Sequence, residues 1–573
     1  MRVLRLNAIA ALMAATMAAC GGGGGSDPIA GAPSPAPVPV PAPAPGPAPA
    51  PVPVPPPPPA PLAPLNTLNS GSANIRTSAT LTFNGANGNP LIIVDDPDSA
   101  SLTVFLTLNA GTLTMAPGSG AMITGDGSSA VVIEGTKPQI NAALSGMVYT
   151  APINAQSVRL QIVSQDGTTP TPLSDTDEFT IAVTVAPPPE FKTFQSASAV
   201  LGQANFTSGA SGPAHERNVA SPRGAVALSD SGSIYVPDAG HNRVIVFPAG
   251  AGAGDSADFV LGQPTPFDQN AEIDQGRHPQ AAHVAIFPSG VGRMAVAEPS
   301  ANRVSLYHVL PTANSSLPTA LLGQDNFTDS APGCFARRLN APQGVTIFPT
   351  GSRLVVADTG NNRVNVYNAF TPPGQPSLPL NLVLGQGSTD ECVPNRGGSP
   401  DLGTMNQPTG VWTDGTRLVV ADTGNNRVLI WHSFPTLSNP VTLEGEPPDR
   451  VLGQDDFVSV LPNRGAATPG AARMNAPTHV ASDGTRLAVA DTGNNRVLIW
   501  TTFPTTNGAL AHVVLGQNSF IRRVPNDADQ NGTTDGPSGE VFSSPTGLFF
   551  HEGKLYVSDR DNNRVLIFEP QLQ

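Results

Sequence analysis

From Glu190 onward the chain is a succession of short apolar runs separated by turn residues. RLVVAD, NRVLIW and VLGQ are typical, four to seven residues long and bounded by Gly, Asn, Asp and Pro. Runs of this kind predict β-strands. Between Leu65 and Val185 the pattern changes. Leu102–Leu108 (LTVFLTL), Val131–Ile133, Val158–Val163 (VRLQIV) and Phe179–Val185 (FTIAVTV) mix apolar residues with Thr, Ser and Gln. That alternation predicts strands with one wet face. Before Leu65 the pattern disappears. Pro28 to Pro64 sets Pro against Ala and Val, a composition that favours extended polyproline II and cannot bury a core.

The apolar runs after Glu190 belong to a repeat. One phrase reads DAGHNRV at Asp238, EPSANRV at Glu298, DTGNNRV at Asp358, Asp422 and Asp491, and DRDNNRV at Asp559. A second, VLGQ, starts at Val200, Val260, Val383, Val451 and Val514, with LLGQ at Leu321. Pro-x-Gly-Val or a variant lies between them, as at Pro342–Val345, Pro408–Val411 and Pro545–Leu548. Each unit therefore holds four strands, and six such units predict a six-bladed β-propeller. VLGQ opens the series at Val200, while the last unit stops after Arg564–Phe568 without one. If VLGQ is the outermost strand, the N-terminal copy must complete the final blade and close the ring.

The repeated phrases resemble NHL repeats, and the match covers essentially all of Val200 to Phe568. Blade two, with Glu298 and Pro299 in place of Asp-Thr, is the least regular copy. The segment before the repeats resembles bacterial cadherin-like or immunoglobulin-like modules, on VDDPDSASLTVFL and INAALSGMVYTAP. The expected fold class is all-β: an NHL-type six-bladed propeller preceded by a small β-sandwich and a disordered proline-rich stalk.

Composition agrees. The 573 residues include 62 prolines and 58 glycines but only 13% charged residues, which disfavours helical bundles. A net charge of −14 argues against nucleic-acid binding, which needs cationic neutralisation of phosphates. The start is distinctive. Arg2 and Arg5 precede a short apolar stretch, Leu6 to Ala15, too short to cross a bilayer core of ~30 Å, so it reads as a removable signal. Met17-Ala-Ala-Cys20 resembles the bacterial lipobox, with Met17 in place of Leu, and implies acylation of Cys20. An ordinary signal peptide with an incidental cysteine is the alternative. Gly21 lacks the Asp that signals inner-membrane retention in lipoproteins, so the resemblance implies an outer-membrane lipoprotein of the bacterial envelope, facing periplasm or cell surface. The expected organisation is signal peptide 1–20, Gly/Pro-rich tether 21–64, sandwich 65–186, linker 187–197 and propeller 198–573.

Candidate chemistry falls into four groups. The repeated charged residues are Asp238, Arg243, Arg303, Asp358, Arg363, Asp422, Arg427, Asp491, Arg496, Asp559 and Arg564. They flank a tight turn where Gly and Asn supply positive φ. A catalytic group is needed once, so residues present in five or six blades read as structural. The second group is metal-like: Asp527, Asp529, Asn531 and Gly532 match the first half of an EF-hand-like calcium loop, and Asp535 follows. Position twelve is Ser538, and a plain turn is the alternative. Asp95, Asp96 and Asp98 offer a second set of hard oxygens, or simply a solvated turn. Third, Cys334 and Cys392 remain as a pair once Cys20 is acylated, lie in loops leaving the same face, and are expected to form a disulfide. Fourth, the loops after VLGQ carry Arg337, Arg338, Arg396, Arg464, Arg522 and Arg523, a rim that could engage an acidic partner or glycan.

The test for an enzyme is histidine. His283 and His479 replace the Gly of Pro-x-Gly-Val in blades two and five. Opposite blades of a six-membered ring should hold them too far apart to share a metal at ~2.1 Å. No GxSxG, HExxH or P-loop occurs. The expected function is a membrane-anchored extracytoplasmic binding scaffold, monomeric, whose propeller recognises a protein or glycan partner, with calcium as the one cofactor in view. The alternative is a lyase or hydrolase working in the central channel; a third is a structural or adhesive protein using the sandwich.

Overall fold

The computed structural model describes residues 59–571, except 77–78, 153, 155, 168–170, 185–189, 288–291 and 369–379. Cys20, most of the tether and part of the linker lie outside the described residues. The chain forms two compact units, whose main division falls between Thr180 and Ile181.

In the N-terminal unit a central pair of long strands, Ser101–Leu108 and Gln156–Gln165, runs antiparallel within a six-stranded sheet. Alternation sets the core: Leu102, Val104, Leu106 and Leu108 are buried while their neighbours are not. The sequence reading expected strands alone, yet Lys137–Leu144 is an α-helix. Thr136 and Gln139 form its capping box, Pro138 occupies its first turn, and Ile140, Ala143 and Leu144 are buried. Two helical turns give too few apolar repeats to outweigh the β pattern on either side.

The C-terminal unit is an all-β propeller. Its described strands form six sheets, each built on four antiparallel strands. Blade four shows the plan: Pro408–Thr413 innermost, then Leu418–Asp422, Arg427–Trp431 and, outermost, Arg450–Leu452. The two middle strands are buried along their whole length because a blade is covered on both faces. Val420, Leu429 and Val451 pack with blade three, whereas Val419, Val428, Ile430 and Leu452 pack with blade five. Continuous Val/Leu/Ile runs follow from this two-sided burial.

Ring closure uses the N-terminal VLGQ strand. Ala199–Leu201 pairs antiparallel with Arg564–Phe568, Val200 opposite Leu566, and so supplies the outer strand of blade six. Blade three gains two short strands, Leu437–Asn439 and Glu444–Gly445, lent by the long insertion of blade four.

Candidate functional site

Two sets of polar groups compete for the role of a site, and their hydrogen bonds separate them. The first is the repeat set. Arg427 is fully buried; its Nε donates to Asp422 Oδ2 at 2.7 Å, Nη1 to the Phe457 carbonyl, and Nη2 to the carbonyls of Asp401 (3.2 Å) and Thr404 (2.8 Å). Asp422 Oδ1 accepts the Asn406 N–H at 2.7 Å. Asn426 adopts φ +52°, accepts the Ala476 N–H on Oδ1 and donates to the Val460 carbonyl. Gln454, from VLGQ, donates to the carbonyls of Asn426 and Leu461, both at 3.0 Å. The pattern recurs for the pairs Asp238–Arg243, Asp358–Arg363, Asp491–Arg496 and Asp559–Arg564, all fully buried at 2.7–2.8 Å. Each arginine thus ties the end of the loop that enters its blade to the start of the VLGQ-following loop that leaves it. Burial pushes the carboxyls of Asp358, Asp422 and Asp559 up, against the pull of their arginines. The buried arginines and aspartates are thus spent on one another and on the backbone, while the amide oxygens of Gln386, Gln454 and Gln517 are enclosed without a donor.

Blade two keeps the clamp with different parts. Glu298 pairs with Arg303 at 2.7 Å and, through its second oxygen, with His278 Nδ1 at 2.8 Å, all three fully buried. The longer carboxylate has room for the imidazole, whose Nε2 continues to Tyr307 Oη at 2.7 Å. The irregular repeat is a compensated one.

The second set lies on the propeller axis. The residue after Pro at the entrance to the inner strand opens, in five of the six blades, onto a cavity of about 250 Å³. In blades four, five and six it is Thr409, Thr478 and Thr546, whose hydroxyls donate to carbonyls of the next blade: Thr478 (2.6 Å), Thr546 (3.4 Å) and Pro222 (3.1 Å). In blades one and three it is Arg223 and Gln343. Arg223 is half-buried, its Nε is enclosed without a hydrogen-bond partner, and burial and the nearby Arg560 push its guanidinium below the ordinary value. Arg560 completes the wall, paired at 2.8 Å with Asp561. A half-buried guanidinium with a free donor is what an anionic group would satisfy.

Below this mouth stand His283 and His479, and here the sequence expectation fails. Their nitrogens, His479 Nε2 and His283 Nδ1, are 3.3 Å apart, with ring centroids at 4.9 Å. The cause is glycine at the matching positions. A Cβ on Gly224, Gly344 or Gly547 would overlap a carbonyl of the adjacent blade, and one on Gly410 would sit 2.6 Å from His479 Cα. Inner strands packed this closely leave a bore that two imidazoles fill. Burial holds both rings neutral, His283 well below its ordinary pKa and His479 down to about 3. No third His, Cys or carboxylate among the described residues converges on them, so a zinc would lack its usual ligand count. A second cavity of about 190 Å³ lies beyond them, lined by inner-strand residues such as Ala227, Trp412 and Phe549.

The remaining candidates divide. Cys334 and Cys392 are joined as a disulfide with Cα atoms 6.0 Å apart. Asp527, Asp529 and Asp535 come together, with oxygens within 4.8 Å. Asp95 is instead paired with Lys137 at 3.1 Å, and Asp95, Asp96 and Asp98 do not converge. Half of the arginine rim is neutralised: Arg338 pairs with Asp325, Arg396 with Glu444 and Arg464 with Asp455, leaving Arg337, Arg522 and Arg523 outside any ion pair among the described residues. Exposed on those loops are Phe267, Phe335, Val458, Leu461 and Ile521. Sequence reasoning missed Arg223 and Arg560. The signals were the variable residue of the Pro-x-Gly phrase for Arg223 and the Arg in place of Thr after Asp559 for Arg560.

No family model matches the chain. Over 130 residues it is 27% identical to NHL repeat-containing protein 2 of Gallus gallus, which covers 22% of this chain. The chain spans about 15% of the length of that relative. Among solved structures it is similar to an auxiliary nutrient binding protein from Bacteroides ovatus, at 11% identity and TM-score 0.38, covering 87% of this chain and 96% of that one. It is also similar to hydrazine synthase of Kuenenia stuttgartiensis, at 12% identity and TM-score 0.35, covering 62% and 98%. A β-propeller domain from Myceliophthora thermophila gives 11% identity and TM-score 0.32, covering 63% and 98%. The repeat unit is thus similar to NHL repeats, and identities this low say nothing of activity.

Proposed function

We propose that the propeller is a binding module, held outside the cytoplasm by lipid on Cys20, which receives an acidic group of a protein or glycan partner at its axial mouth. The observation that carries this reading is Arg223: a half-buried guanidinium whose Nε has no partner, beside Arg560 and above a cavity of about 250 Å³. The exposed apolar residues on loops braced by the buried arginines add contact area of the kind a protein partner covers. Catalysis in the channel has less support, because the two axial imidazoles are enclosed, touch each other and lack a convergent third group.

Binding is tested by recovering partners from the solubilised cell envelope with wild-type and Arg223→Ala protein. The variant is expected to recover at least tenfold less of a partner taken specifically by the wild type. Equal recovery would remove the axial site, and no specific recovery at all would remove the binding role. The anchor is tested by cell fractionation of a Cys20→Ser variant. Release into the soluble fraction is expected, and retention in the membrane would refute acylation.

A further inference from the structure

The loop joining blades five and six, residues 516–543, is acidic at its tip, with Asp527, Asp529 and Asp535 carrying the charge. Asp527 is fully buried. Its Oδ2 accepts the Gly532 N–H at 2.9 Å, but its buried Oδ1 has no hydrogen-bond partner. Asp529 and Asp535 are exposed, and the three carboxylates gather their oxygens within 4.8 Å of one another. None of the three forms an ion pair among the described residues, although the clamp carboxylates of this propeller are all paired.

A buried carboxylate oxygen with no donor, beside two like charges and no cation, is costly as it stands. Hard oxygens in this arrangement suit a divalent cation. Their order along the chain also fits: Asp527, Asp529, Asn531 and Asp535 hold positions one, three, five and nine, with Gly532 at position six in a φ of +96°. Ser538 takes no part, its hydroxyl being spent on Glu540 at 2.7 Å.

We propose that Asp527, Asp529 and Asp535 form a calcium site whose ion braces the seam where the propeller ring closes. The same loop holds both strands of that seam. The Gly539 carbonyl accepts the Ala197 N–H at 2.9 Å, just before the N-terminal strand Ala199–Leu201. Arg564, opening the strand opposite, donates to the carbonyls of Ser538 and Val541, both at 2.9 Å. Asn526, next to Asp527, exchanges two amide hydrogen bonds with Asn562, at 2.9 and 2.8 Å. Ordering the tip therefore orders the contacts that hold chain start to chain end.

The test uses the full chain, calcium chloride at ~5 mM, a concentration suited to extracellular-type sites, and EGTA as the calcium-free reference. Calcium is expected to raise the propeller's melting temperature by roughly 2 °C or more, and to slow hydrogen exchange at Val200 and Leu201. A variant carrying Asp529→Asn and Asp535→Asn, both at exposed positions, should fold, melt in EGTA no lower than wild type, and lose both calcium effects. Equal melting of wild type in calcium and EGTA would overturn the site. So would a calcium effect that survives in the double variant, because the ion would then bind elsewhere.

Discussion

Arg427, on the third strand of blade four, is enclosed on every side and its guanidinium meets one carboxylate and three carbonyls. Arg223, at the entrance to the innermost strand of blade one, has cavity on one side and an Nε that meets nothing. Both are arginines with five donors in a rigid fork. The first has five equivalents, each joined to an Asp or Glu that matches its geometry. The second stands where blades four to six carry a threonine that closes onto its neighbour. At Arg427 the repeat leaves a guanidinium fully engaged; at Arg223 a departure from it leaves one open, whereas at Glu298 the departure is filled by His278.

The sharpest way to break that contrast is to remove a clamp. Arg427→Ala leaves Asp422 buried without its cation and should cost about 3–5 kcal/mol, measured by urea denaturation of the propeller. A loss below about 1 kcal/mol would mean that the clamps are not structural.

Acid should act next, at the axis. The unfolded chain takes up protons at its histidines near pH 6.5, while folded His479 does so only near 3 and His283 also well below its ordinary value. Below pH 6.5 the unfolded state binds more protons, so stability falls as pH falls. His479 contributes on the order of 2 kcal/mol between pH 6.5 and 5, and His283 acts in the same direction. Thermal unfolding across this range should show that slope, reduced in His283→Gln and more so in His479→Gln. A slope unchanged by either substitution would assign the acid sensitivity to other groups.

The smallest effect belongs to Arg223. Arg223→Ala removes a donor that none of the described residues satisfies, and stability should move by no more than about 0.5 kcal/mol while partner recovery collapses. A destabilisation approaching that of Arg427→Ala would make Arg223 a structural residue too.

Much of this was legible in the residues. The Asp-x-x-x-Asn-Arg-Val phrase could be read as structural because it recurs, and each of its members turns out to be spent on a carboxylate, an N–H or a carbonyl of its own or the next blade. VLGQ at Val200 foretold its pairing with the final strand, since a ring of four-stranded blades one strand short at its end must borrow from its start. The helix Lys137–Leu144 was not legible, because a strong β context surrounds two turns of apolar spacing. The pairing of half the loop arginines was not legible, since that of Arg396 with Glu444, 48 residues away, depends on where an insertion folds back.

The sequence by itself determined the strands, their grouping into blades and the ring's closure, because these follow from local apolar runs repeated in phase. Only the tertiary structure decided how wide the central bore is. His283 and His479 sit 196 residues apart, in blades that a diagram of the ring sets farthest from each other. Whether they touch depends on how closely six inner strands pack, and glycine at the other four positions lets backbone meet backbone there. That distance is a sum of close contacts around the whole ring, and no one repeat contains it.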